Sequence, residues 1–194
     1  AELSSSSPQS KMVIGPWAHG PFAAKIDIGE KQNVLWAYDK MVPFLKSQID
    51  NEKELSLRYC LFIIHRNQWH ECQQWPPEKT RITKYFLGEK GILTKNRHSA
   101  EKYRSYVYDP KDPMPSYGGT SLGIGVGPAW RNKNEKRRDC LQFQTEILKK
   151  PLTLLGPIGA RVCVKSSAAK TNFIMLLQDL YPDGKILNIQ EGGC

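Results

Sequence analysis

Residues 11 to 20 read Lys11-Met12-Val13-Ile14-Gly15-Pro16-Trp17-Ala18-His19-Gly20. A short apolar run stops at Gly15-Pro16 and delivers one histidine onto the turn behind it. Gly15 lets the chain turn sharply, Pro16 fixes the next dihedral, and Gly20 leaves the backbone behind the ring uncrowded. The general base of a Ser-His-acid triad needs such a place, at the end of a rigid strand and on a loop that can lean over the nucleophile, because proton transfer tolerates little misplacement. His19 is therefore a candidate base. A histidine on a turn also serves as a structural residue, so the motif alone leaves both readings open.

Working outward, residues 12 to 15 read as a buried strand. From Glu30 to Lys46, the residues Val34, Leu35, Tyr38, Met41, Val42 and Leu45 fall on one face at helical spacing. That face is expected to pack against the sheet that carries His19, with Pro43 kinking the helix or ending it early. The polar stretch Asp50-Asn51-Glu52-Lys53-Glu54 is turn-prone, and Arg58 to Ile64 reads as the next strand. The order strand, histidine turn, helix, strand suits the closing end of an α/β sheet.

From about Lys79 the texture changes to short strand candidates separated by turn clusters, the pattern of an all-β sandwich. The candidates are Ile82 to Leu87, Ser105 to Tyr108, Cys140 to Thr145, Leu152 to Leu155, Arg161 to Ser166, Phe173 to Leu180 and Lys185 to Ile189. Turns are marked at Gly88 to Gly91, Pro110 to Pro115, Gly118-Gly119, Gly156-Pro157 and Pro182-Asp183-Gly184. The expected boundary lies near Trp75 to Lys79, dividing residues 1–78 from residues 79–194. No internal repeat is evident.

Five stretches carry a family resemblance in one continuous order. They are Met12 to Gly20; Trp69 with Trp75-Pro76-Pro77; Tyr85-Phe86-Leu87-Gly88; Tyr106 to Pro115 with Gly118-Gly119; and Leu177 to Gly184. Together they resemble the cocaine esterase (CocE/NonD) and X-Pro dipeptidyl-peptidase group of serine hydrolases, which also holds α-amino-acid ester hydrolases and cephalosporin acylases. The resemblance implies a mainly β chain: a partial jelly-roll β-sandwich of the X-Pro dipeptidyl-peptidase C-terminal, galactose-binding-like type, preceded by the last strand and helix of an α/β-hydrolase domain. It implies that His19 completes a Ser-Asp-His triad whose other members lie in a missing N-terminal catalytic region. It further implies a small ester, amide or peptide substrate, no cofactor and no metal, and an isolated chain that is inactive. Leu122 is implied as a wall of the acyl pocket, and Trp17 is a candidate substrate contact beside the imidazole, although packing of the turn suits that indole better. Where the family carries Asp-Thr-Asp-Phe, this chain reads Lys170-Thr171-Asn172-Phe173 and lacks both carboxylates.

Composition bounds the remaining classes. At 194 residues and 40% hydrophobic content the chain can build a core. No stretch approaches the roughly 20 apolar residues of a membrane span, and the polar start Ala1 to Ser7 does not read as a signal peptide. The net charge of +9 raises the question of nucleic acid. The one dense basic cluster, Arg131, Lys133, Lys136, Arg137 and Arg138, is interrupted by Glu135, followed by Asp139 and free of interleaved aromatics. It reads as a solvated loop, with no nucleic-acid partner expected.

Five cysteines without tight spacing suggest reduced thiols and a cytoplasmic setting rather than a disulfide framework. Cys60, His65, His70 and Cys72 lie close in sequence, but structural zinc sites favour a cysteine pair two to four residues apart, and Cys60 falls within a strand-like apolar run. Gly119-Thr120-Ser121-Leu122-Gly123 matches a nucleophile elbow in letters only. An elbow needs a strand before it and a helix after it, and the α/β-hydrolase order Ser, acid, His fails because all four histidines precede Ser121. The reading from another functional class is a non-catalytic β-sandwich binding module, with Trp69 and Trp75 as possible stacking aromatics. Unpaired edges in an unfinished sandwich would favour a homo-oligomer.

Overall fold

The computed structural model describes residues 10–17, 35–50, 58–97, 103–119, 127–132 and 137–194. Met12–Ile14 form strand β1, Leu35–Ile49 helix α1, Tyr59–Ile63 strand β2 and Gln68–Cys72 strand β3. β1 pairs with β2 in parallel, Val13 opposite Cys60, and β2 pairs with β3 antiparallel, Cys60 opposite Glu71 and Leu61 opposite His70. A parallel pair needs a long crossover, and α1 lies within it. The expected order strand, helix, strand is present, with the histidine between β1 and α1 outside the described residues, and the strands form a three-stranded sheet in the order β1-β2-β3.

β2 is the buried centre. Tyr59, Cys60 and Leu61 are 4%, 1% and 2% exposed, which fits an apolar run flanked by a partner on each side. β3 was not anticipated in the sequence, because Gln68-Trp69-His70-Glu71-Cys72 is a polar run, and its place is given by the tight turn after β2. His65 and Asn67 take left-handed φ values of 65° and 50° in that turn.

Helix α1 departs from expectation in two ways. Pro43 does not end it, since the helix continues to Ile49. The apolar face is also not turned onto the sheet. Leu35, Tyr38, Met41, Val42, Leu45 and Ile49 are all exposed, whereas Ala37, Lys40, Phe44 and Ser47 form the more buried side. Lys40 reaches Glu71 of β3 at 2.7 Å, so the helix is tied to the sheet by an ion pair rather than by its widest apolar stripe.

Beyond the sheet, Phe86–Leu87 (β4) and Leu93–Thr94 (β5) form a small hairpin around the 3₁₀ turn Glu89–Gly91. Ile174–Leu180 (β6) and Ile186–Gly193 (β7) form an antiparallel pair with an irregularity between Leu177 and Gln178. Their turn at Pro182-Asp183-Gly184 is where the sequence marks it, with Gly184 at φ 80°. Residues 129–131 lie along the other side of β7: Asn188 N–H donates to the Ala129 carbonyl at 3.1 Å and Arg131 N–H to the Ile186 carbonyl at 2.9 Å. Leu187 and Asn188 are thereby buried.

The expected strands at 105–108, 152–155 and 161–166 do not form ladders, and of 140–145 only Gln144 makes an isolated bridge, to Ile92. These segments have strand-like composition but no partner strand among the described residues, and only single contacts such as Thr80 Oγ1 donating to the Leu155 carbonyl at 3.1 Å. The architecture among the described residues is thus mainly β, with one α-helix and three small sheets. No described helix is long and apolar enough to cross a membrane.

Candidate functional site

The C-terminal end of β1 is the first place to look, because side chains at that end of a parallel strand face the crevice where ligands of α/β sheets bind. The chain leaves β1 at Gly15-Pro16 and sets the Trp17 ring back over the glycine. A Cβ at position 15 would lie 2.5 Å from Trp17 Cη2, so only glycine allows the indole there. Trp17 stacks at a tilt on Trp69 of β3, with ring centroids 5.7 Å apart, and Trp69 meets Phe62 of β2 edge-on at 5.2 Å. Aromatic pairs of this kind contribute about 0.5–1.5 kcal/mol beyond their buried area. The Trp17 Nε1–H is buried and meets no acceptor among the described residues.

Trp17 is therefore a packing residue that fixes the turn, and its ring is engaged by Trp69. His19, two residues further, lies outside the described residues, as do Leu122 and Ser121. Residues 113–117, ahead of Ser121, form no strand, in keeping with the rejection of an elbow there. Trp75 packs against Tyr59 at 6.3 Å, so both tryptophans of the stacking alternative have protein neighbours.

The four nominal zinc ligands are not brought together. Cys60 and Glu71 share one face of the β2–β3 ladder, while His70 and Cys72 alternate to the other. His65, in the turn, has its Nε2 2.9 Å from the Tyr181 hydroxyl. On the first face, Lys40, Glu71 and Cys60 form a chain of contacts: Lys40 Nζ to Glu71 Oε1 at 2.7 Å, and the Cys60 thiol donating to the same oxygen at 3.6 Å. The Lys40 hydrogen bond holds the Glu71 carboxyl below its usual range, and Glu71 raises Lys40 in return. Burial, reinforced by the Glu71 charge, pushes the Cys60 thiol up to about 12. A thiol so protonated is a poor nucleophile and metal ligand.

The second place of interest is the base of the loop that carries Leu122. Gly119 and Gly127 exchange both backbone hydrogen bonds, at 2.8 and 2.9 Å, and so clip the loop shut. Gly118 and Gly119 sit at φ 71° and 88°, and a Cβ on Gly119 would overlap the Glu191 carboxylate. That carboxylate accepts from Arg131 Nη2 at 3.0 Å. Gly119 is thus required by the close approach of Glu191 from β7, and Gly118 by that of Gly127 and Ala129. Arg131 also corrects the solvated-loop reading of the basic cluster, since it is 2% exposed and paired. Arg137 is likewise engaged, donating to Asp139 at 2.8 Å and to Asp112 at 3.2 Å, and it holds the Asp139 carboxyl low. Lys133 and Lys136 lie outside the described residues. The signal available for Arg131 was its place among apolar neighbours, Ala129 and Trp130, rather than its charge.

Comparison with known proteins gives this arrangement a family. Residues 47–194 match the X-Pro dipeptidyl-peptidase C-terminal non-catalytic domain. The chain belongs to that family. It is also 29% identical to the cocaine esterase of Rhodococcus sp. over 202 residues, a match covering 94% of this chain and 35% of that protein. A protein of Mycobacterium bovis and one of Mycobacterium tuberculosis, both named as serine esterases, are each 22% identical over 98% of this chain and 31% of their own length. The chain thus spans about a third of these relatives. The resemblance read from the five motifs is confirmed as membership of the C-terminal region of this hydrolase family, and the small sheets are consistent with its β-sandwich. In this X-Pro dipeptidyl-peptidase C-terminal domain the loop clip at Gly119 and the Arg131–Glu191 pair fall inside the matched residues, whereas β1 and the His19 turn precede them.

Proposed function

We propose that this chain is part of a serine hydrolase acting on ester or amide bonds, in which it supplies the triad histidine, His19, and part of the accessory β-sandwich. The observation that supports this best is the end of β1: a parallel strand, a glycine-proline turn and an indole packed beneath it, with His19 two residues on. Colinear similarity to cocaine esterase extends through the same segment.

In this reading His19 takes the proton from a serine hydroxyl as that oxygen attacks the substrate carbonyl. It then returns the proton to the leaving alcohol or amine. The serine, the aspartate and the oxyanion-hole donors belong to a region outside this chain, so the isolated chain is inactive. Trp17 positions the turn by packing on Trp69, and Leu122 borders the acyl pocket from a loop whose base is clipped by Gly119 and Gly127. Residues 1–78 form the end of the α/β-hydrolase part and residues 79–194 the sandwich part. Esters, amides and X-Pro peptides remain alternatives for the substrate.

Replacing His19 by alanine in the full-length parent lowers kcat/KM on a short-chain aryl ester by about 10³-fold or more, as loss of a triad member does. Activity that stays near wild type removes the proposal.

A further inference from the structure

His65 occupies a position suited to glycine. Its φ of 65° is left-handed, in the turn that joins β2 to β3, and a histidine kept there against that preference points to a use for its side chain. Its Nε2 shares a hydrogen bond of 2.9 Å with the Tyr181 hydroxyl, 116 positions away, and the two rings meet edge-on with centroids 5.9 Å apart. Tyr181 opens the turn between β6 and β7, where its N–H donates to the Lys185 carbonyl at 2.8 Å and its carbonyl accepts from the Gly184 N–H at 2.9 Å. Its ring also meets Trp130 edge-on at 5.4 Å.

Both ends of this contact lead toward the proposed site. β1 and β2 run parallel with Ile14 opposite Leu61, so the turn holding His65 leaves the sheet at the same end as the Gly15-Pro16 turn that continues to His19. On the other side, Trp130 bridges to Leu187 of β7, and three residues earlier Gly127 exchanges hydrogen bonds with Gly119 at the base of the loop that carries Leu122. Resting on the reading just proposed, we infer that His65 and Tyr181 are positioning residues, whose hydrogen bond clamps the base of the Leu122 loop, through Trp130, onto the end of the sheet that leads to His19. The clamp sets the fit of the acyl pocket and takes no part in proton transfer. It governs which acyl groups are accepted rather than the rate of the chemical step.

Two variants of the full-length parent separate the clamp from the fold. Tyr181→Phe keeps the ring and deletes the hydroxyl, while His65→Gly deletes the ring and relieves the left-handed backbone, so each removes the contact without straining its turn. Hydrogen exchange read by mass spectrometry should be at least about 5-fold faster at the amides of residues 127–131 in each variant than in wild type, although the deleted groups belong to two other turns. On para-nitrophenyl hexanoate, kcat/KM should fall about 5-fold or more through KM, with para-nitrophenyl acetate within about 2-fold of wild type. The double variant should lose no more than either single one, because both changes remove one contact. The exchange result does not depend on His19, so the clamp can fail while the triad assignment stands, and the reverse. Unchanged exchange at residues 127–131 overturns the inference, and so do equal losses on the two esters or losses that multiply in the double variant.

Discussion

β2 and the segment from residue 146 to 172 have similar sequence credentials and opposite fates. Tyr59-Cys60-Leu61 is buried to within 4% exposure, while Ile147 is 93% and Val164 55% exposed. Within the second region, Leu152 to Leu155 and Arg161 to Ser166 are stretches of strand length built around apolar residues, as β2 is. β2 has β1 beside Tyr59, Cys60 and Leu61 on one edge and β3 along its whole length on the other. The 146–172 segment has no strand on either side among the described residues. The lesson is that apolar, β-prone composition confers only the capacity to be a strand; the partner decides whether the capacity is used.

Hydrogen exchange is the most sensitive way to break that comparison. In this chain, amides of residues 59–63 should exchange at least about 100-fold more slowly than those of 161–166, because only the first set is bonded in a ladder shielded from water. Mass spectrometry of the two peptides reads the ratio, and comparable rates would mean that the distinction is false. The energetic counterpart is Leu61→Ala in the full-length parent, expected to lower unfolding stability by about 2–5 kcal/mol, the range for truncating a fully buried leucine. A loss below about 0.5 kcal/mol, the scale of a surface change, would remove β2 from the core.

What could be read in advance follows the same line. β1, β2, β6, β7 and the turn at Pro182-Asp183-Gly184 were readable because local pattern and tertiary partner agree there. β3 was not, since Gln68 to Cys72 owe their extended form to the ladder with β2 rather than to their own preferences. The stripe on α1 was readable as a stripe, but its direction was not: the helix turns Lys40 toward Glu71, 31 positions away, a contact that periodicity does not contain. At the site, Gly15 and Trp17 were identifiable as a turn, whereas the role of Gly119 depends on a carboxylate arriving from β7.

The loop base gives a smaller effect that sharpens the contrast between built and unbuilt parts of the sandwich. Arg131 is buried and its partner Glu191 partly so, with side chains 1% and 21% exposed. Glu191→Gln should cost up to about 3 kcal/mol, chiefly by leaving the guanidinium charge buried and uncompensated. Gly119→Ala should cost about 1–3 kcal/mol from the left-handed backbone and the encounter with that carboxylate. Because both changes act on one contact, their combination in urea titrations should fall short of the sum. Strict additivity would show that loop and strand are independent.

The smallest effect concerns the tie between α1 and the sheet. Lys40 and Glu71 are each about one-third exposed, so solvent screens the pair and Lys40→Met should change stability by only about 0.2–1 kcal/mol at pH 7. Its pH dependence is more informative than its size. Glu71 titrates below its ordinary 4.5 when folded, so its share of stability is present above that value and is lost as pH falls through the folded one. Lys40 is raised above 10.5, so its share is present below that value and fades as pH climbs past it. The difference between wild type and Lys40→Met should therefore be flat between about pH 5 and 10 and shrink as acid protonates Glu71. A difference that persists once Glu71 has been protonated would mean that the methylene stem of Lys40 holds the helix, and that the ion pair only accompanies it.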